Sequence, residues 1–496
     1  MNRRTFLKAA SLAAMPWPAL RALGTEPANM PPTNWISENG LTRLGTLKTK
    51  SSRQITQSRF SIGCECLDRK MWNFDKAYPH IAALGAKWAR VQTGWSQCEK
   101  VKGKYDFAWL DAIVDKLLAV GIQPWFNVGY GNRHYTPDAP HETAVGWTPV
   151  YDQAARTGWE NFVKALARHY QLRVAYYEVW NEPDIRPFWT PHEPSPEMYT
   201  DLVALTSRAI HSVFPKARII GGAISDALSQ QRGFSYVERC FEHGMGQHID
   251  AFSYHLYHPT PEGYYDRQLA TLRALVHRYR PGLPLWQGES GAPSMAQKGQ
   301  ALDNYEWDES KQAKNAARRF LLDLALDTPF ISWFHASDFM FYIIKNEIVN
   351  KQYYFGLLGG GEYRPKPAYS AVQTICTLFA GDAHRTDEVN LRLSARDKAD
   401  SALVADARAY AFATGYGTVI ACWQPHNLME PFTLRRILLA AWMPQTLAWK
   451  EPVLIDPLTQ TVYALARCET KGGVKQMDVP LTDWPLLLAD RNAIPI

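Results

Sequence analysis

Two glutamates are notable because each closes a short apolar run. In Tyr176-Tyr177-Glu178-Val179-Trp180-Asn181-Glu182-Pro183 an aromatic stretch stops at Asn-Glu-Pro. Pro183 has no N–H to give to a sheet ladder, so a strand must end there. In Pro284-Leu285-Trp286-Gln287-Gly288-Glu289-Ser290-Gly291 a second apolar run ends in Glu289. Two carboxyls brought together can divide the work of acid and base. Their mutual repulsion keeps one proton on the pair, so one member can act as an acid near neutral pH while the other stays ionised. Cleavage of a glycosidic bond needs this combination, with one group protonating the leaving oxygen and the other attacking the anomeric carbon. Each glutamate alone has an ordinary explanation, as part of a helix cap or in a surface turn. Their matched positions at the ends of two apolar runs favour the chemical reading.

Neighbouring residues narrow the possibilities. Gly288-Glu289-Ser290-Gly291 partly matches a serine-hydrolase elbow, but G-x-S-x-G requires glycine where Ala292 stands. No Cys-x-x-Cys, His-x-x-x-His or His-x-His spacing occurs, so no metal site and no cofactor are expected. Arg90 lies in the apolar run Trp88-Ala89-Arg90-Val91. A buried guanidinium needs a charged partner, which places Arg90 in or beside the site. Glu178 shares strand parity with Trp180 and reads as an interior structural carboxylate.

These residues require a scaffold that aligns strand ends. Eight candidate strands, at 60–64, 88–93, 123–128, 175–180, 218–222, 251–255, 284–287 and 331–335, alternate with helical patterns. Leu110, Ile113, Val114, Leu117 and Leu118 follow helical spacing, and Gly121 stands where a C-terminal cap belongs. Phe162, Val163, Leu166 and Tyr170 repeat the pattern. Eight strand–helix units predict a (β/α)8 TIM barrel over 59–380, whose C-terminal strand ends carry the chemistry. Glu182 and Glu289 would follow strands 4 and 7. A doubly wound open sheet would need a glycine fingerprint, and GLLGGGEY at 356–363 lacks its spacing. From 381 to 496 the texture changes to paired short strands around turns, as in AYAFATGYGTVIACW and PVLIDPLTQTVYAL, predicting a smaller all-β, sandwich-like unit. A polar lead-in occupies 25–58.

Composition agrees with a large folded chain: 496 residues, 46% hydrophobic and 21% charged, which excludes a disordered or collagen-like polymer. The net charge of +6 is misleading, because Arg3, Arg4, Lys8 and Arg21 supply four of the six within residues 1–24. No basic cluster remains to suggest nucleic acid. Arg3-Arg4-Thr5-Phe6-Leu7-Lys8, followed by a short apolar run broken by Pro16 and Pro18, resembles a twin-arginine export signal. It predicts a periplasmic or extracellular protein with no membrane association after signal removal. The 18 tryptophans could be core or sugar platforms, and Trp95, Trp125, Trp147 and Trp189 are candidate platforms.

Longer motifs resemble clan A glycoside hydrolases, most closely glycoside hydrolase family 39, which includes β-xylosidases and α-L-iduronidases. EVWNEP at 178–183 is the most specific of them. GWSQCEKVKGKYDFAWLD at 94–111, GIQPWFNVGYG at 121–131, ISWFHASDF at 331–339 and YFGLLGGGEYRPKPAYSA at 354–371 extend the likeness over most of the chain. Glu99-Lys100 departs from the family's usual Glu-Pro pair, and the QGESG context of Glu289 is also atypical. The resemblance implies a retaining hydrolase of an oligo- or polysaccharide, with Glu182 as acid/base and Glu289 as nucleophile. It further implies that Asn181 binds the sugar 2-hydroxyl and that Arg90 lies under the nucleophile. His255 and Tyr257 would line the subsite, Trp333 would form its floor, and Asp338 would bind a sugar hydroxyl. The competing expectation is a barrel that binds carbohydrate without cleaving it.

Overall fold

The computed structural model describes residues 40–496 apart from 345–346, 350–351 and 397–400. The twin-arginine-type segment at 1–24 lies outside the described residues. Eight parallel strands close into a barrel: Phe60–Gly63, Trp88–Gln92, Gln123–Val128, Tyr176–Val179, Arg218–Ile224, Ala251–His255, Leu285–Ser290 and Ile331–Trp333. They pair in chain order, and the eighth returns to the first with Phe60 opposite Ile331. That closure excludes the open sheet.

Helices cover the barrel as the apolar spacing requires. Ala108–Ala119 buries Leu110, Ile113, Val114 and Leu117. Gly121 then turns the chain at φ +74°, in the left-handed conformation that only glycine adopts without strain. Gln153–Tyr170 starts on Asp152, whose side chain accepts from Ala155 N, and buries Trp159, Phe162, Val163, Leu166 and Tyr170. Among the described residues no helix is long and apolar enough to cross a membrane.

The barrel's two ends differ. At the N-terminal end Trp286 stacks on Phe330 with centroids 4.1 Å apart. Trp125 meets both rings edge-on, at 5.6 and 5.1 Å, and Trp88 and Tyr176 pack beside them. Polar and charged side chains occupy the opposite end.

Beyond the barrel lie two antiparallel sheets. One has seven strands in the order Thr42–Thr46, Thr461–Ala464, Pro452–Asp456, Leu486–Asp490, Gly417–Trp423, Arg408–Thr414 and His384–Arg385. The other has four: Asn390–Ala395, Arg435–Trp442, Val474–Leu481 and Cys468–Lys471. The segment preceding the barrel therefore supplies an edge strand to a sheet otherwise made from the far end of the chain. A buried network joins barrel and sheets. Arg318 Nε donates to Glu262 Oε1 at 2.9 Å, Trp423 Nε1 donates to the same oxygen at 2.5 Å, and Arg318 Nη1 donates to the His426 carbonyl at 2.9 Å. Fully desolvated charges hold only when both partners are present, so this joint is intolerant of losing either one.

Candidate active site

The fourth barrel strand ends at Val179, and the next residues leave it in unusual conformations. Trp180 has φ +69° and Glu182 φ +46°, left-handed values that side-chain-bearing residues seldom adopt and that cluster at functional sites. Tertiary contacts hold them there. Trp180 N donates to the Val128 carbonyl at 3.0 Å, its Nε1 donates to the Phe188 carbonyl at 2.7 Å, and Glu182 N donates to the Ala223 carbonyl at 2.9 Å. The Glu182 carboxyl is thereby turned over the barrel mouth. Glu289 is the penultimate residue of the seventh strand, in register with His255 of the sixth. One carboxylate oxygen from each of Glu182 and Glu289, together with a ring nitrogen of His255, lie within 4.8 Å of one another.

Arg90 organises the site from below. Its Nε and Nη2 both donate to Glu178 Oε2, at 2.8 and 2.5 Å, and Nη2 also donates to Asn181 Oδ1 at 2.8 Å. Its Nη1 donates to Glu289 Oε2 at 2.7 Å and to Glu65 Oε1 at 3.1 Å. Tyr257 Oη donates to the other Glu289 oxygen at 2.6 Å. Glu289 is thus gripped through both oxygens. Burial raises its pKa, while Arg90 and the Tyr257 hydrogen bond oppose that rise. Glu182 has no such cation in contact, and burial followed by the charge of Glu289 holds its carboxyl well above the usual range. His255 Nδ1 lies 3.1 Å from Glu182 Oε1, and burial, then Arg90, holds its imidazole well below its ordinary pKa. The environments of the two glutamates therefore differ: burial raises both, Glu182 well above the usual range, while Arg90 and Tyr257 restrain the rise at Glu289 alone.

Glu182, His255 and Glu289 also lie close enough to share a cation. However, both oxygens of Glu289 already accept hydrogen bonds from Arg90 and Tyr257. The guanidinium supplies the positive charge that a metal ion would bring.

A cavity of about 460 Å³ opens over the pair, lined by Asn181, Glu182, Tyr257 and Glu289 among others. Arg90 and His255 are completely buried and neither lines the cavity; Arg90 lies under Glu289, as the resemblance implies, whereas His255 lies behind the lining it was expected to form. Trp333 is also completely buried, packed at 6.2 Å from Phe320, and does not line the cavity. It packs between the strand and its covering helix Glu309–Ala325 and forms no sugar floor. Asp338 is turned away as well. Its Oδ1 accepts from Lys366 Nζ at 2.7 Å and from Gly356 N at 2.9 Å, and its Oδ2 accepts from Gly360 N at 3.2 Å, so its oxygens are occupied by the loop it holds. Trp95, Trp125 and Trp189 are fully buried core residues, and Trp147 is half-buried outside the cavity. None of the four is a platform here. Glu178 sits in the interior as expected.

Sequence reasoning missed much of the lining. Glu65, Arg69, Gln92, Tyr130, Phe188 and Asp226 all face the cavity. Two of these left a signal. Gln92 shares strand parity with Arg90, and Glu65 follows an apolar strand just as Glu182 does. The stretch 290–307 contributes Gly299–Leu302 to the lining, whereas 130–151 contributes Tyr130 and otherwise borders an adjacent cavity.

A parallel eight-stranded barrel with glutamates at the ends of its fourth and seventh strands is the arrangement that the resemblance to clan A glycoside hydrolases implies. Residues 90–278 match the family model described as Glycosyl hydrolases family 39. The chain is 28% identical over 215 residues to a beta-xylosidase of Geobacillus stearothermophilus, a match covering 38% of this chain and 41% of that protein. The fold resembles that of a family 39 glycoside hydrolase from Bacteroides cellulosilyticus WH2, with a TM-score of 0.64, 18% identity, and coverage of 90% of this chain and 83% of that one. It also resembles a monomeric beta-xylosidase from Caulobacter crescentus CB15, with a TM-score of 0.58, 16% identity, and coverage of 89% and 97% respectively.

Proposed function

We propose that the protein is a retaining glycoside hydrolase that cleaves an oligo- or polysaccharide by double displacement. The spacing of the two glutamates carries this reading. A retaining pair stands about 5 Å apart, whereas an inverting pair leaves room for a water at about 6.5–9.5 Å. Oxygens of Glu182 and Glu289 within 4.8 Å of one another fit the first arrangement.

In the first step Glu289, anionic between Arg90 and Tyr257, attacks the anomeric carbon, and Glu182 gives its proton to the departing oxygen. The product is a glycosyl ester on Glu289. In the second step Glu182, now a carboxylate, takes a proton from water as that water attacks the same carbon, which frees Glu289 and restores the acid. Asn181, held by Arg90, presents its amide to the cavity for a sugar hydroxyl. Xylosides are the first substrates to try, because the relative matched at 28% identity is a beta-xylosidase. The Arg3-Arg4 segment supports a site of action outside the cytoplasm.

A 4-nitrophenyl glycoside panel tests the proposal, with product stereochemistry followed by NMR. Glu289→Ala should lower kcat/KM by ~10⁴-fold or more without unfolding the chain, and azide should restore release of an inverted glycosyl azide. Early appearance of the inverted sugar from the wild type would rule out retention. Sugar binding without turnover across the panel would instead favour a carbohydrate-binding barrel.

A further inference from the structure

Neither step above says what holds the departing half of the substrate. The acid marks where that half must lie, because Glu182 gives its proton to the oxygen that leaves. The wall on this side is built from the chain after the fifth barrel strand, which is fastened to the Glu182 segment. Glu182 N donates to the Ala223 carbonyl at 2.9 Å, and Asp184 accepts from Ser225 N at 3.0 Å and from Ser225 Oγ at 2.7 Å. Tyr236 Oη, from the helix Gln231–Glu242, donates to the Pro183 carbonyl at 3.2 Å. Asp226 follows Ser225 directly, so these bonds also fix its position relative to the acid.

Asp226 lines the cavity that holds Glu182 and Glu289. It is half-buried, unlike the enclosed Arg90 and His255, so its carboxyl meets the open space. Oδ1 accepts from Tyr257 N at 3.4 Å, which steadies the side chain from the sixth strand. Oδ2 accepts no hydrogen bond among the described residues, and it is not one of the enclosed polar atoms. Burial pushes Asp226 up to about 6, against the Tyr257 N–H and the charge of Arg319, so near neutral pH it is chiefly the anion. Its charge adds to those that hold the Glu182 carboxyl high. Gln230 and Arg232 line the same wall. A carboxylate oxygen open to a sugar cavity is a strong acceptor for a hydroxyl, since hydrogen bonds to an ionised group exceed those between neutral groups.

Resting on the hydrolase reading, we propose that Asp226 is a specificity-determining residue whose Oδ2 accepts a hydrogen bond from a ring hydroxyl of the departing unit, so that the wall selects substrates whose leaving group is itself a sugar. The catalytic proton comes from Glu182, and Asp226 neither gives nor takes one during turnover.

Two measurements test this assignment. The first takes the β-linked disaccharide of xylose, glucose, mannose or galactose that the wild type cleaves best, and compares it with analogues deoxygenated at single positions of the leaving unit. All of these need the acid to a similar degree, so a change in Glu182 alone would affect them alike. Asp226→Ala should lower kcat/KM about 30-fold on the parent, and about threefold or less on the one analogue lacking the contacted hydroxyl. Asp226→Asn, which keeps an acceptor, should lose about fivefold on the parent. Equal losses on every analogue would overturn the proposal and leave Asp226 as a support for the Tyr257 backbone. A wild type that cleaves 4-nitrophenyl glycosides but no disaccharide would overturn it too, with the hydrolase reading left standing. The second measurement reads no turnover. In a Glu289→Ala chain, calorimetry with the same disaccharides should show the tightest of them bound about tenfold more weakly once Asp226→Ala is added. An affinity unchanged by that addition, or no disaccharide bound, would overturn the proposal. This holds even if the wild type cleaves no glycoside, a result that would separately remove the hydrolase reading.

Discussion

The same strands build both ends of the barrel, and the two ends obey different physics. The second strand runs from Trp88 at one end to Arg90 and Gln92 at the other. The fourth runs from Tyr176 to Glu178, and the seventh from Trp286 to Glu289. At the N-terminal end rings pack on rings, and stability comes from apolar area removed from water. Two to four residues later the same strands present an arginine encircled by carboxyls, an arrangement that costs stability unless every partner is present. The difference separates two jobs within single strands: the aromatic end holds the strands together, and the charged end uses their alignment.

Substitutions at one end should leave the property of the other nearly untouched. The largest effect on folding is expected from Phe330→Ala, which removes a ring contacting Trp88, Trp125 and Trp286. It should cost about 3–5 kcal/mol in denaturant unfolding, with kcat/KM of the folded fraction unchanged. A large loss of turnover per folded molecule would break the separation. Next is Arg90→Met, which removes the charge that lowers the Glu289 pKa. More of Glu289 is then protonated at any given pH, so, if it is the proposed nucleophile, the acidic limb of the kcat/KM profile should move up by about 1–3 pH units. A limb that stays in place would show that Arg90 does not set this ionisation. Tyr257→Phe should act in the same direction but more weakly, because it removes one hydrogen bond from Glu289 and no charge. It should lower kcat/KM by about tenfold, with a smaller upward shift of the acidic limb, both visible in one pH series.

The barrel was legible because its signals are periodic and local. All eight strands fall within a few residues of their expected places, from Phe60–Gly63 to Ile331–Trp333. The hairpin of Arg408–Thr414 and Gly417–Trp423 likewise forms around its Gly-Tyr-Gly turn. The meeting of Glu182 and Glu289 was legible because each acid follows an apolar strand at the same end of the barrel. The aromatic platforms were not, because an indole near a strand end can point over the mouth, into the helical layer or down the barrel, and composition does not say which. Trp95 illustrates this: it lies in a short helix, donates from Nε1 to Glu99 Oε2 at 2.6 Å, and stacks on Tyr135. Glu99 also accepts from Gly103 N at 2.6 Å, so the unusual Glu99-Lys100 pair has its carboxylate inside, tying a loop down. Asp338 was misplaced for a related reason: Lys366, its salt-bridge partner, belongs to a later segment brought to it only by the fold. Gly45 and Ile496, at opposite ends of the described chain, also meet only through the fold.

The edge strand at Thr42–Thr46 has a consequence for how the molecule is made. Its hydrogen-bonding partner, Thr461–Ala464, lies roughly 400 residues further along the chain. During synthesis this early segment must wait, unpaired, while the barrel assembles from contacts between near neighbours in sequence. The seven-stranded sheet can be completed only after its last strand, Leu486–Asp490, has emerged. The last turn of assembly is therefore a clasp: Lys48 N reaching the Pro495 carbonyl at 2.9 Å fastens the beginning of the described chain to its end.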